Sequence, residues 1–308
     1  MKLTMVGAGR VGTTTVFELQ QEGGFTEIAL LDIMVEKAQG EALDFTHGAS
    51  RAPRCTIRSY GTDYNASRDS DMIIITAGIP RAPGQTRLDL LKVNVEAMGP
   101  VLESLGRVNR DAILLMVSNP VDVLTYQAVR TLGWPTNHVF GLGNVLDTVR
   151  FRSLLGERLG VHGGQISVYM LGEHGDSMQP VTSTATVAGV PLKRFPGYTD
   201  DLVKEVVEQT RVGGAEVIAK KGGTFYAVAP SISWVVQSVL RDSKEILPIS
   251  SLMDGQLGMA NMCVSLPCVV GAGGRERVLE IPLSPEEEAG VKNSHRVLRE
   301  SADAVGIK

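Results

Sequence analysis

Leu3-Thr4-Met5-Val6-Gly7-Ala8-Gly9-Arg10-Val11-Gly12 decides the fold of this chain. A short apolar run feeds a G-x-G-x-x-G turn, and residues 11–22 then carry apolar side chains at helical spacing. The glycines permit a tight turn and close backbone approach to a phosphate. The helix that follows directs its positive end to the same place. Twenty residues after Gly12, Asp32 closes the next β-prone run, residues 27–31. A carboxylate there suits ribose hydroxyls and repels a 2′-phosphate, and Ile33 and Met34 offer no compensating cation. NAD is therefore the expected cofactor, held by Gly7, Ala8, Gly9, Arg10, Val11, Gly12 and Asp32.

Outward from that turn, β-rich runs alternate with helical stretches. Strands are expected at 3–6, 27–31, 71–76, 112–117 and 139–143, and helices at 11–22, 35–47, 88–108 and 121–132. Ile73-Ile74-Ile75 and Ile113-Leu114-Leu115-Met116-Val117 are apolar without alternation, the mark of strands covered on both faces. The fold class is α/β: an N-terminal Rossmann-type, doubly wound parallel sheet. The second half has another texture. Helices are expected at 144–159, 199–221 and 231–242, with β-prone runs at 166–171, 181–187, 246–252 and 262–266. A closing helix starts at Pro285 with Ser284 as N-cap. That pattern predicts an α+β catalytic domain at 143–308 after a nucleotide domain at 1–142. Gly213-Gly214 should break or kink the long helix, because two glycines cost up to about 2 kcal/mol of propensity.

Composition narrows the partners. With 308 residues the chain exceeds the size of one growing core, so two lobes are expected. A net charge of −4 and a pI near 5.8 argue against nucleic acid or an anionic membrane as partner. Cys55, Cys263 and Cys268 form no metal-ligand spacing and no even disulfide set, so reduced thiols and a cytosolic setting are expected, with no metal. Residues 1–6 are too short an apolar run for a signal peptide, and no run is long enough to span a bilayer.

The chemistry-bearing residues come from both halves. In Leu171-Gly172-Glu173-His174-Gly175-Asp176-Ser177-Met178 one histidine sits in a glycine-bracketed turn, poorly placed for packing and well placed to exchange a proton. Upstream, Asp147 and Arg150 are three apart on an expected helix and so share a face. The loop 77–87 holds two prolines, two glycines, Arg81 and Arg87 at the carboxyl end of a strand, where open α/β sheets bind ligands. Solvated arginines are the plain alternative there. Closure of this loop over an anion would exclude water and strengthen the charge interactions beneath. Ser118-Asn119-Pro120-Val121-Asp122 ends the next strand at the same edge, with Asn119 offering an amide.

These motifs, in this order and spacing, resemble the lactate/malate dehydrogenase family from end to end, and in particular its lactate-dehydrogenase-like malate branch. The resemblance implies that His174 is the acid–base, oriented by Asp147, while Arg150 grips the substrate C1 carboxylate. It implies that Arg87 polarises the C2 carbonyl, and that Asn119 and Thr224 contact the substrate. Thr76, Ala77, Gly78, Asn94, Val117, Ser118 and Asn119 would complete the cofactor site. An arginine at position 81 goes, in that family, with malate and oxaloacetate, since a second carboxylate in a closed pocket needs a fixed cation. Ala82, where many relatives carry lysine, lowers the local positive field. Gly189-Val190-Pro191-Leu192 looks closer to lactate dehydrogenases. The expectation is thus reversible hydride transfer between malate and NAD, with a small dicarboxylate as substrate and a homo-oligomer, a dimer of dimers. L-lactate dehydrogenase and a non-catalytic dinucleotide sensor are the alternatives. His47, His138, His162 and His295 are expected to be structural or on the surface. Trp134 is expected in loop packing and Trp234 in the core, and Glu286-Glu287-Glu288 should do no more than complement a helix dipole.

Overall fold

The computed structural model describes residues 1–80 and 86–307. The first half winds as β1 (Lys2–Val6), α1 (Arg10–Glu22), β2 (Glu27–Leu31), α2 (Val35–Gly48), β3 (Thr56–Gly61), β4 (Met72–Ile75), α3 (Arg87–Val108), β5 (Ile113–Met116), α4 (Val121–Leu132) and β6 (Val139–Gly141). The second half adds α5 (Val145–Leu159), β7 (Ile166–Leu171), β8 (Gln179–Val187), β9 (Val190–Pro191), α6 (Asp200–Lys221), α7 (Val228–Arg241), β10 (Glu245–Asp254), β11 (Ala260–Gly271), β12 (Gly274–Val278) and α8 (Pro285–Ala304).

One nine-stranded sheet runs in the order β12-β11-β10-β6-β5-β4-β1-β2-β3, and β7, β8 and β9 form a second sheet. Strands β3 to β6 pair in parallel around β1, so the strand order reverses between β1 and β4. Such a reversal opens a crevice at the carboxyl ends of the strands. Side chains confirm that both faces are covered. Ile73 and Ile75 pack into one apolar cluster with Leu114 and Met116, while Met72 and Ile74 pack into another with Ile113 and Leu115. A third cluster, around Phe151, Met170 and Val206, joins α5, β7 and α6.

Several features differ from expectation, strands β9 and β12 among them, which no expected β-prone run covered. The edge strand β3 was not anticipated, because Thr56-Ile57-Arg58-Ser59-Tyr60-Gly61 mixes polar and apolar residues and only Ile57 and Gly61 are buried. The second half does not build a separate sheet throughout: β10 pairs antiparallel with β6 through Ser250 and Gly141, so β10 to β12 extend the nucleotide-binding sheet. Helix α6 runs unbroken through Gly213-Gly214. The close approach of Arg150 accounts for glycine at this point of the helix, for a Cβ on Gly213 would stand 3.0 Å from the Arg150 Cδ.

At the C-terminal end, Ser284 caps α8 in a reciprocal capping box with Glu287. Glu287 does more than meet the helix dipole. It is buried, and its carboxylate accepts the backbone N–H groups of Thr182 and Ser183 and the Ser183 hydroxyl, tying α8 to β8. Trp134 is buried in the first cluster, whereas Trp234 is only half-buried, with the Arg152 guanidinium 6.0 Å from its ring centre. Cys55, Cys263 and Cys268 are all free thiols. No helix among the described residues is long and apolar enough to cross a membrane.

Candidate active site

The glycine turn connects β1 to α1 at the sheet's switch point. Gly7 has φ +108°, and a Cβ there would lie 2.6 Å from the Ala77 amide nitrogen. A Cβ on Gly12 would lie 1.9 Å from the Gly7 carbonyl oxygen. Gly9 meets nothing within 4 Å, so the middle of the turn presents bare backbone at the head of α1. That is the surface a pyrophosphate needs. Asp32 accepts the Ala8 and Met34 backbone N–H groups at 2.7 and 2.8 Å, which fixes its carboxylate beside the turn. A cleft of about 190 Å³ opens next to it, walled by Leu31, Gly61, Tyr64, Gly78, Asn94 and Met98.

Several expected cofactor residues turn out to be braces. Thr76 Oγ1 donates to the Gly7 carbonyl at 3.0 Å, and Ser118 Oγ donates to the Ala77 carbonyl at 2.5 Å. Asn94 accepts the Ile79 N–H and donates to the Ile79 and Leu90 carbonyls, so its buried amide holds the strand end in place. Arg10 reaches across to the Lys221 carbonyl at the end of α6. Lys37, to which the sequence pointed with no motif, donates to the Ala8 carbonyl. A cation five residues past Asp32 was the available signal.

Beyond the turn, a cleft of about 340 Å³ is lined by Val11, Val117, Asn119, Asp147, Arg150, His174, Arg211 and Thr224, among others. Helix α5 brings Asp147 and Arg150 to one face, as their spacing requires, and the turn after β7 brings His174 to them. His174 Nδ1 stands 2.6 Å from Asp147 Oδ2, and Arg150 Nη1 stands 3.3 Å from Asp147 Oδ1. The Arg150 guanidinium also donates to the Thr210 carbonyl at 3.4 Å. Asp147 is 1% exposed while His174 keeps 22%, so the pair is dry behind and open in front. Burial lowers the His174 pKa, but the Asp147 carboxylate outweighs it, through charge and hydrogen bond. With a smaller contribution from Asp122, the result is a rise from 6.5 to about 9. An imidazole so held can give or take a proton at Nε2, and the nearby guanidinium suits a carboxylate.

Arg81 lies outside the described residues. Arg87 opens α3, and its side chain also lies outside them. The other histidines have different partners: His162 accepts the Gly164 N–H, His295 meets the Ala260 carbonyl, His138 Nδ1 is buried and His47 is exposed. Arg211, donating to the Met178 carbonyl, and Asp122, accepting the His174 N–H, belong to the site and were not anticipated as part of it. Asp122 lay within a quoted motif, and only its burial distinguishes it. Among the described residues no group of three or more metal-binding side chains is placed to hold an ion.

Residues 1–141 match the lactate/malate dehydrogenase NAD binding domain, and residues 144–306 match the alpha/beta C-terminal domain of the same family. The chain belongs to the lactate/malate dehydrogenase family. It is an oxidoreductase of that family with NAD as cofactor. An L-lactate dehydrogenase of Acetivibrio thermocellus is 39% identical over 99% of this chain and 98% of its own length. The ligand-bound minor L-lactate dehydrogenase of Enterococcus mundtii superposes with a TM-score of 0.94 at 30% identity, covering 100% of this chain and 99% of that one. A malate dehydrogenase of Cryptosporidium parvum superposes with a TM-score of 0.92 at 34% identity, over 99% and 98% of the two chains. The expectation of malate as substrate is overturned by the curated relatives, which are named for lactate. It rested on Arg81 alone, a single side chain outside the described residues, whereas the likeness to L-lactate dehydrogenases runs along the whole chain.

Proposed function

We propose that this member of the family is an L-lactate dehydrogenase, moving a hydride reversibly between L-lactate and NAD to give pyruvate and NADH. The observation that carries the dehydrogenase chemistry is the 2.6 Å His174–Asp147 pair beside Arg150, in a cleft that adjoins the glycine turn. The choice of lactate rests on the L-lactate dehydrogenases to which the chain is similar over its full length.

The residues present fit NAD: bare backbone at Gly9, the head of α1, and a fixed Asp32 carboxylate for the ribose hydroxyls. When bound, the nicotinamide supplies the hydride acceptor for lactate oxidation and the donor for pyruvate reduction. The chain's own residues do the rest. Arg150 holds the C1 carboxylate, its guanidinium already braced by Asp147 and the Thr210 carbonyl. His174 takes the C2 hydroxyl proton during oxidation and returns it during reduction. Asp147 holds the imidazole in one tautomer and stabilises its protonated form. Asn119 and Thr224 line the same cleft and confine the substrate. Arg87, at the start of α3, polarises the C2 carbonyl. The reading includes a homo-oligomer, checked by light scattering of the purified protein.

The deciding experiment is NADH oxidation with pyruvate and with oxaloacetate. A higher kcat/KM for pyruvate is expected. Faster turnover of oxaloacetate would overturn the choice of lactate, and silence with both would overturn the enzyme reading.

A further inference from the structure

The far wall of the substrate cleft hangs on a segment with little to hold it. Thr224, which lines the cleft with Arg150 and His174, lies in residues 222–227 between α6 and α7. Gly222 closes α6 in the left-handed region at φ +78°, its N–H donated to the Ile218 carbonyl, and Gly223 follows. Two successive residues without a Cβ leave the backbone free to swing. Thr224 therefore needs an anchor on each side of it. One is local: the Ala229 N–H donates to the Phe225 carbonyl at the start of α7. The other comes from the first half of the chain.

Arg10, the first residue of α1, reaches from the glycine turn to this segment. Its Nη1 donates to the Lys221 carbonyl at 3.4 Å, a tie across 211 positions of sequence. The same nitrogen lies 3.5 Å from where a Cβ on Gly222 would stand and 3.8 Å from one on Gly223, so the guanidinium rests along both glycines. Its central carbon is 5.9 Å from the centre of the Phe225 ring, and the Lys221 ammonium is 3.6 Å from that same centre. Two cations thus attend one ring. The accepting carbonyl ends a helix, where the dipole also favours a cation. Each contact is exposed and weak by itself, but all of them fix the same few residues.

We propose that Arg10 is a positioning residue for the substrate: it ties residues 221–225, and with them Thr224, to the glycine turn. This rests on the reading of the cleft as the site of pyruvate reduction. Arg10 does not line the cleft itself, so its effect falls on substrate fit rather than on the proton or hydride. A guanidinium has five donors in a planar fork. One Arg10 side chain can therefore keep the Lys221 carbonyl and still border a pyrophosphate on the turn, so that the cofactor's seat and the substrate wall share one brace.

The test is Arg10→Met in the full-length enzyme, which keeps an unbranched stem and removes the fork. Arg10 is exposed, so the melting temperature should hold. At saturating NADH the KM for pyruvate should rise by about fivefold, with kcat changed by less than about twofold. The Kd for NADH, read by fluorescence titration, should rise by a smaller factor than the KM. If NADH binding suffers more than the KM, Arg10 serves the phosphate and not the wall, and the proposal falls. A variant equal to the parent in both also overturns it. Phe225→Leu removes the ring that Arg10 and Lys221 share, and should raise the KM in the same way. Combined with Arg10→Met it should be no worse than the worse single variant. Effects that multiply instead would mean that the contacts act separately, which overturns the tie. The parent keeps the two readings apart. Absence of pyruvate turnover there removes the reading of the cleft, while normal turnover with an unmoved KM in Arg10→Met removes only the role of Arg10.

Discussion

The cofactor end and the substrate end of this cleft are built on opposite principles. At the glycine turn almost every polar group is spent on backbone: Asp32 on two N–H groups, Thr76 and Ser118 on carbonyls, Asn94 on three main-chain partners. The result is a rigid frame that offers shape and bare backbone. At the substrate end, charges face one another across elements distant in sequence. Asp147 meets His174 over 27 positions, and His174 meets Asp122 over 52. A frame of side-chain-to-backbone hydrogen bonds should tolerate changes of charge elsewhere, whereas a cluster of buried charges should respond as a unit.

The largest effect that would break this contrast is His174→Asn. It should lower pyruvate turnover by about 10²- to 10⁴-fold. NADH binding, measured by fluorescence, should not change, because no bond of the glycine turn depends on the imidazole. Weakened NADH binding would show that the two ends are not separable. Arg150→Lys comes next. Lysine keeps the charge and loses the planar fork, so kcat/KM should fall by about tenfold to a hundredfold, the equivalent of one charged hydrogen bond at about 1.5–3 kcal/mol. If KM and kcat are both untouched, the substrate carboxylate is held elsewhere.

The same contrast explains what could be read in the sequence. The nucleotide turn, Asp32 and the strands flanking it are local patterns, in which spacing alone determines the structure. Asp147 and Arg150 were legible for the same reason, being three apart on one helix. Strand β3 was not, because pairing with β2 rather than its own pattern makes it a strand. Glu287 resembled any acidic first turn until α8 was seen to pack on β8. Asp122 and Arg211 gain their meaning from residues more than thirty positions away. The misjudged substrate has a similar origin. One arginine was asked to decide a preference that depends on everything closing around it.

A smaller effect concerns pH. Because the folded pKa of His174 is raised above 6.5, the imidazole is protonated through neutrality and loses its proton near 9. Pyruvate reduction needs the protonated form, so its kcat/KM should fall by about tenfold per pH unit above that point, while lactate oxidation gains over the same range. The stability that the proton confers is fully present below about pH 6.5 and is lost as pH rises through about 9. Profiles of both directions, with thermal melts at each pH, check this. A reduction rate that is flat to pH 10 would separate the imidazole from the proton transfer.

The smallest expected effect is the most discriminating, because two forces oppose each other in it. Gly213 sits inside α6, where alanine would favour the helix by about 0.8–1 kcal/mol. The added Cβ would stand 3.0 Å from Arg150 Cδ and 3.3 Å from its Nε, so the guanidinium must shift. Since Arg150 is 16% exposed and already tied to Asp147 and the Thr210 carbonyl, it has little freedom to yield without turning its fork from the substrate. Gly213→Ala should therefore raise the KM for pyruvate by about fivefold and leave NADH binding alone. Its melting temperature should hold or rise. A variant that is more stable and equally active would mean that the glycine is not there for the guanidinium. A variant that is less stable and less active would mean that overpacking reaches beyond Arg150 into the frame itself.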